Sequence, residues 1–127
     1  MDKAERSRLG RKSRAAGKRF EVKVRDDLED KGWIVVRWNK NVEDNHLITS
    51  RGKFNPFTQR VQNMSSGFPD FLCIKTGYEI GWDVQLVECK LRGILSKKEK
   101  EKIDWIHYNL GIHCFVASKD GKEIRYT

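Results

Sequence analysis

Two apolar-rich runs, residues 69–75 and 83–90, stand either side of Thr76-Gly77-Tyr78-Glu79-Ile80-Gly81-Trp82, whose glycines permit a turn. No other feature restricts the fold so tightly, because the two runs read as the arms of an antiparallel hairpin. If the hairpin is centred near residues 79 and 80, the start of the first arm faces the end of the second. Asp70 then comes opposite the neighbourhood of Glu88 and Lys90. Alternation along a strand sends Glu88 and Lys90 to one face, while Val87 and Cys89 enter the core from the other.

The rest of the pattern builds around that hairpin. From about residue 15 to 31 the spacing of Phe20, Val24 and Leu28 predicts a helix with a core-facing stripe, ended by Gly32. Glu21 lies beside the stripe. Trp33-Ile34-Val35-Val36-Arg37-Trp38 reads as a first buried strand. Residues 39–67 are polar and irregular, with Arg51, Lys53 and Arg60 interleaved among Phe54 and Phe57; a connection of this length is functional, disordered or hides a small hairpin. Ser96-Lys97-Lys98-Glu99 matches a capping box, and Ile103, Ile106 and Leu110 supply the stripe of a second helix that Gly111 stops. Residues 112–118 and 123–126 form two last strands joined by a tight turn. The expected architecture is α/β, a central mixed sheet flanked by helices.

At 127 residues, 38% hydrophobic and 35% charged, the chain fits one folded domain. Its net charge of +8 attracts polyanions, which makes nucleic acid the first partner to consider. Most of that excess lies in residues 1–19, where eight basic side chains meet only Asp2 and Glu5. Residues 1–13 lack a sustained apolar stripe and read as a flexible basic arm, preceding a single domain over residues 14–127. No apolar run reaches the ~20 residues of a membrane span, and no secretory signal precedes the domain, so an intracellular, cytoplasmic protein without membrane association is expected. Cys73, Cys89 and Cys114 lie in strand-like runs without metal-ligand spacing and read as buried thiols. His46, His107 and His113 form no metal-binding pattern.

Two carboxylates a few ångströms apart repel unless a cation lies between them, and oxygen ligands of this kind suit Mg²⁺, with Mn²⁺ as a substitute. A metal so held acidifies water and polarises a phosphodiester, while an adjacent ammonium neutralises developing charge. Asp70 and Glu88 are the candidate ligands and Lys90 the ammonium; Glu21 is a candidate fourth member.

Gly67-Phe68-Pro69-Asp70, followed after seventeen residues by Glu88-Cys89-Lys90, resembles the P-D…(D/E)-x-K signature of the PD-(D/E)XK nuclease superfamily. The helix carrying Phe20-Glu21, the strand after Gly32 and the helix after the lysine resemble archaeal Holliday junction resolvases, while Leu95-Ser96 opening a helix also looks like the VRR-NUC branch. The resemblance implies a restriction-endonuclease-like core and a metal-dependent DNA endonuclease. By it, Glu21, Asp70, Glu88 and the backbone carbonyl of Cys89 would bind metal, and Lys90 would assist the attacking water. The chain departs from the resolvases where Asn39-Lys40-Asn41 and a longer loop replace a Gly-Ser element.

On this reading the substrate is DNA, branched or otherwise structure-selected, gripped by Arg11, Lys12, Arg14, Lys18, Arg19, Arg37, Lys40, Arg51, Lys53, Arg60 and Arg92. A symmetric homodimer is also expected, from the resemblance and from Trp82, Trp105 and Tyr108 as exposed aromatics. The alternatives are a non-catalytic nucleic-acid-binding module with a nuclease-like fold, and an RNA-binding or assembly protein.

Overall fold

A computed structural model describes residues 1–50, 53–62, 67–77 and 81–127. The expected contact residue Arg51 and residues 78–80 of the expected hairpin turn lie outside these.

The first helix, α1, runs Lys3–Asp30. It begins twelve residues earlier than the apolar stripe predicts, so residues 3–13 of the expected basic arm belong to the helix. The local cause is Asp2, whose carboxylate accepts the backbone N–H of Glu5 at 2.8 Å and caps the first turn. Only the second half is packed, through Phe20, Val24 and Leu28. At its end Gly32 adopts φ +91°, and the Trp33 and Gly32 amides donate back to Leu28 and Glu29, the pairing of a Schellman stop.

Strand β1 (Ile34–Arg37) follows, then two small hairpins: β2 (Lys40–Glu43) with β3 (His46–Thr49), and β4 (Lys53–Asn55) with β5 (Arg60–Gln62). The first hairpin turns on Asp44 and Asn45, both at positive φ, as a two-residue type I′ connection requires. The described part of residues 39–67 therefore holds two hairpins, where the sequence left a functional, disordered or hairpin-bearing connection open.

The chain then enters β6 (Phe71–Thr76) and β7 (Trp82–Cys89), crosses through α2 (Lys97–Leu110), and finishes with β8 (His113–Asp120) and β9 (Glu123–Tyr126). The main sheet has the order β1-β6-β7-β8-β9. It is mixed: β7 and β8 are parallel and the other neighbours antiparallel. The parallel pair needs a long crossover, which α2 provides. Its capping box is complete, Ser96 and Glu99 exchanging hydrogen bonds, and Gly111 closes it at φ +67°.

Successive strand residues point to opposite faces, so β6 and β7 feed two cores. Cys73 and Val87 join Phe20, Val24 and Leu28 of α1, with Val35, Phe71 and Ala117. Leu72 and Leu86 join Ile106 of α2, with Val42 and Cys114. The sheet is thus covered by one helix on each side. The root of α1 is also pinned to the last strand, where the Tyr126 hydroxyl donates to Asp27 at 2.6 Å. Cys73 and Cys114 are buried free thiols as expected, and Cys89 is partly buried. Burial raises the Cys73 thiol to about 11 and, with the negative charge of Glu88 second, Cys114 to about 12.

Candidate active site

The β6–β7 register pairs Phe71 with Val87. The next position out is Asp70 against Glu88, the juxtaposition expected from the hairpin's centre. Both carboxylates are buried, Asp70 at 9% exposure and Glu88 at 5%. The sequence places Glu88 on a face but not beneath a cover; here Leu86 precedes it on that face and Val116 lies opposite it on β8, so the carboxylate sits in an apolar frame.

Asp70 is held by three devices. Its side chain accepts the Cys89 amide at 2.8 Å. Its carbonyl accepts the Trp38 amide at 3.0 Å. The segment before it is laced to the start of β2 and the link before it, through Phe68 N–H to Lys40 and Gly67 N–H to Trp38, at 2.8 and 2.9 Å. The lacing explains Gly67, where a Cβ would strike the backbone of Lys40 and come within 2.7 Å of the Asn39 carbonyl carbon.

Glu88 is held far above the usual carboxylate range, by burial first and by its hydrogen bond to Asp70 and that residue's charge second. Glu88 keeps its proton at neutral pH, or a cation replaces that proton. In an extended strand the N–H and C=O of one residue lie on the same edge, and the Cys89 N–H faces Asp70. Its carbonyl therefore adds a third oxygen on that side. An all-oxygen set of two carboxylates and one carbonyl fits a hard divalent cation that keeps several waters, such as Mg²⁺ or Mn²⁺.

Glu21 does not complete this set. It pairs with Arg37 at 3.2 Å on the α1 side of the sheet. Among the described residues no three His, Cys, Asp or Glu side chains converge on one metal position. Arg37, expected at the DNA surface, is occupied by the same ion pair, and its guanidinium lies 5.6 Å from the centre of the Phe71 ring.

Lys90 follows β7, its amide continuing the ladder to Ala117 at 2.9 Å. Its ammonium meets Glu99 at 2.6 Å. Burial works against the charged form, yet Glu99, Glu88 and Asp70 together outweigh it and raise Lys90. Lys90 is consequently an ammonium at neutral pH, suited to neutralising negative charge rather than abstracting a proton. Glu99 is the site residue that sequence reasoning missed. Its capping role was legible, and the short link from Lys90 to Ser96 was the unused signal, since it lays the first turn of α2 over the end of β7.

The remaining expected contacts are dispersed. Arg11, Lys12, Arg14, Lys18 and Arg19 are exposed along α1, and Arg60 and Arg92 are exposed elsewhere. Lys40 donates to Thr49 at 2.8 Å, and Lys53 belongs to β4. Phe57 stands 96% exposed at the tip of the β4–β5 hairpin. Of the aromatics expected at a dimer surface, Trp82 and Tyr108 are exposed, whereas Trp105 packs against the α2 core. Among the described residues no helix is long and apolar enough to cross a membrane.

Fold and site together define a class: an α/β protein with a five-stranded mixed sheet and a buried carboxylate pair beside an ammonium. Comparison with protein-family models, curated proteins and solved structures finds no match to this chain.

Proposed function

We propose that the chain is a divalent-metal-dependent DNA endonuclease with a restriction-endonuclease-like core of the PD-(D/E)XK type. The observation that carries this reading is the burial of Asp70 and Glu88 side by side through strand register, with Lys90 next to them. Burying two facing carboxylates is costly. A pure binder of phosphates gains nothing from that cost, whereas a cation site does.

Asp70, Glu88 and the Cys89 carbonyl would hold Mg²⁺, which when bound supplies an acidified water and a Lewis acid for the phosphodiester. Asp70 is fixed by the Cys89 amide and so keeps its orientation when substrate arrives. Lys90, kept charged by its carboxylate neighbours, stabilises the extra negative charge of the pentacovalent phosphorus. To do so it must exchange Glu99 for the phosphate, or share its three donors between them. Glu21 would join only after releasing Arg37, which would free that guanidinium for the DNA backbone. Branched or otherwise structure-selected DNA as substrate, and a homodimer presenting two sites, belong to this proposal through the sequence resemblance.

The test is cleavage of matched linear, flap and four-way-junction DNA by wild type, Glu88→Ala and Lys90→Ala, each with Mg²⁺ and with EDTA. Cutting by wild type alone, only with metal, is the expected result, with DNA binding intact in both variants. Binding without cutting on every substrate would instead favour the non-catalytic module.

A further inference from the structure

We propose that the unpacked N-terminal half of α1 is a groove-binding helix that seats the protein on double-stranded B-form DNA. The proposal rests on the DNA reading above and adds the form of nucleic acid and the element that recognises it.

The first buried residue of α1 is Phe20. Residues 3–19 therefore extend about 25 Å of helix beyond the core, at 1.5 Å per residue. This stretch carries Lys3, Arg6, Arg8, Arg11, Lys12, Arg14, Lys18 and Arg19. At about 100° per residue they spread over roughly 240° of the helix circumference. Such a distribution suits a helix with phosphates on both flanks, which is the situation inside a groove, rather than one lying on a flat anionic surface.

The kind of groove follows from dimensions. A helix with side chains is about 10–12 Å across, and the B-DNA major groove is about 12 Å wide. The A-form major groove of duplex RNA is too deep and narrow to read. Single strands are held by stacking their bases on aromatic side chains, and residues 1–19 contain none. The helix length corresponds to about 7 base pairs of duplex at 3.4 Å each.

A basic track connects this helix to the catalytic strand. Arg19, Lys23 and Lys119 line a notch with Ala16, Phe20 and Leu91. The Lys119 amide donates to the Leu91 carbonyl at 3.1 Å, and Leu91 is the neighbour of Lys90. The notch thus carries the basic surface of the helix as far as the segment that follows Lys90.

Like charges recur at helical contact spacing, Arg8 with Arg11 and Lys12, and Arg14 with Arg11 and Lys18, and each pair opposes the free helix. Gly10 and Gly17 weaken it further. Phosphates remove the repulsion, so helix order and DNA binding reinforce one another.

The experiment uses the full chain and fluorescence anisotropy on a 24-base-pair DNA duplex, an RNA duplex of equal length and the single DNA strand, over a range of salt. Ser13→Pro keeps every charge but breaks the exposed helix, and weakens duplex binding roughly tenfold through lost preorganisation. Gly17→Ala, where an added Cβ meets nothing within 4 Å, tightens it. Replacing Arg8, Arg11, Lys12 and Arg14 with Gln lowers the logarithmic salt slope by about 3 to 4. Unchanged duplex binding by Ser13→Pro, or equal wild-type affinity for the RNA duplex or the single strand, overturns the proposal. Should Ser13→Pro also lower the melting temperature, Gly17→Ala decides, and a variant that binds no tighter counts against the helix. Metal-dependent cutting is followed in parallel: cutting with Ser13→Pro at full affinity removes this inference alone, whereas helix-dependent binding without cutting removes the catalytic reading alone.

Discussion

Glu88→Gln should make the protein more stable at neutral pH. The glutamate is raised in the folded state by burial and by Asp70, so the native protein binds a proton that the unfolded chain releases above about pH 4.3. A group raised in this way gives its full stability below the unfolded value and loses it as pH climbs towards the folded value. Each pH unit in that interval is worth about 1.4 kcal/mol, so the penalty at pH 7 reaches about 4 kcal/mol. That is a large part of the 5–15 kcal/mol typical of a domain. Glutamine keeps the shape, offers Asp70 an N–H donor and carries no charge to desolvate. The assay is urea denaturation of wild type and Glu88→Gln in EDTA between pH 5.5 and 8, above the range where the lowered carboxylates of Asp27 and Glu99 titrate. Wild type should lose stability steadily with pH and the variant much less, the curves crossing or diverging towards neutrality. Added Mg²⁺ should raise the wild-type unfolding free energy by about 1.4 kcal/mol at ten times its dissociation constant, and leave the variant unmoved. Parallel curves over the whole range would refute the buried proton on Glu88.

Gly67→Ala should destabilise by about 1–3 kcal/mol, because the new methyl collides with the backbone at Asn39 and Lys40; equilibrium denaturation measures this. Ser96→Ala should cost about 1 kcal/mol through loss of the α2 cap, seen as a lower urea midpoint. Glu99→Gln should let the Lys90 pKa fall, since its strongest charge-stabilising partner is gone; nitrogen-detected NMR titration of the lysine side chain follows it directly. The same substitution removes stability that Glu99, lowered by Lys90 and Ser96 against the opposing effect of burial, contributes above its unfolded pKa and loses on acidification.

The parts of the fold legible in the sequence were those fixed by short-range rules. Strand alternation about a glycine-bounded turn placed Asp70 opposite the neighbourhood of Glu88 and Lys90, and the Ser96–Glu99 box marked the start of α2. The lack of a sustained apolar stripe argued against a helix before residue 15; the Asp2 cap and a run of good helix formers carry it there. The hairpin at Asp44-Asn45 had a signal, two residues that tolerate positive φ between apolar neighbours, hidden by the polarity around it. Glu21 illustrates a different limit. Its place beside the Phe20–Leu28 stripe was correct, but its attachment to Arg37 depends on how β1 crosses the helix, which no local pattern encodes.

The β6–β7 pairing fixes which carboxylates meet, yet nothing in it depends on how much chain joins the strands. The ladder runs to Thr76 opposite Trp82, and one further bond from Gly77 N–H to the Gly81 carbonyl closes it. Residues inserted beyond that bond would lengthen the excursion and leave every rung below untouched. The number of residues separating Asp70 from Glu88 is therefore free to drift while their separation in space stays constant, and the tip is the natural place to graft a reporter or a second module without disturbing the carboxylate pair at the opposite end.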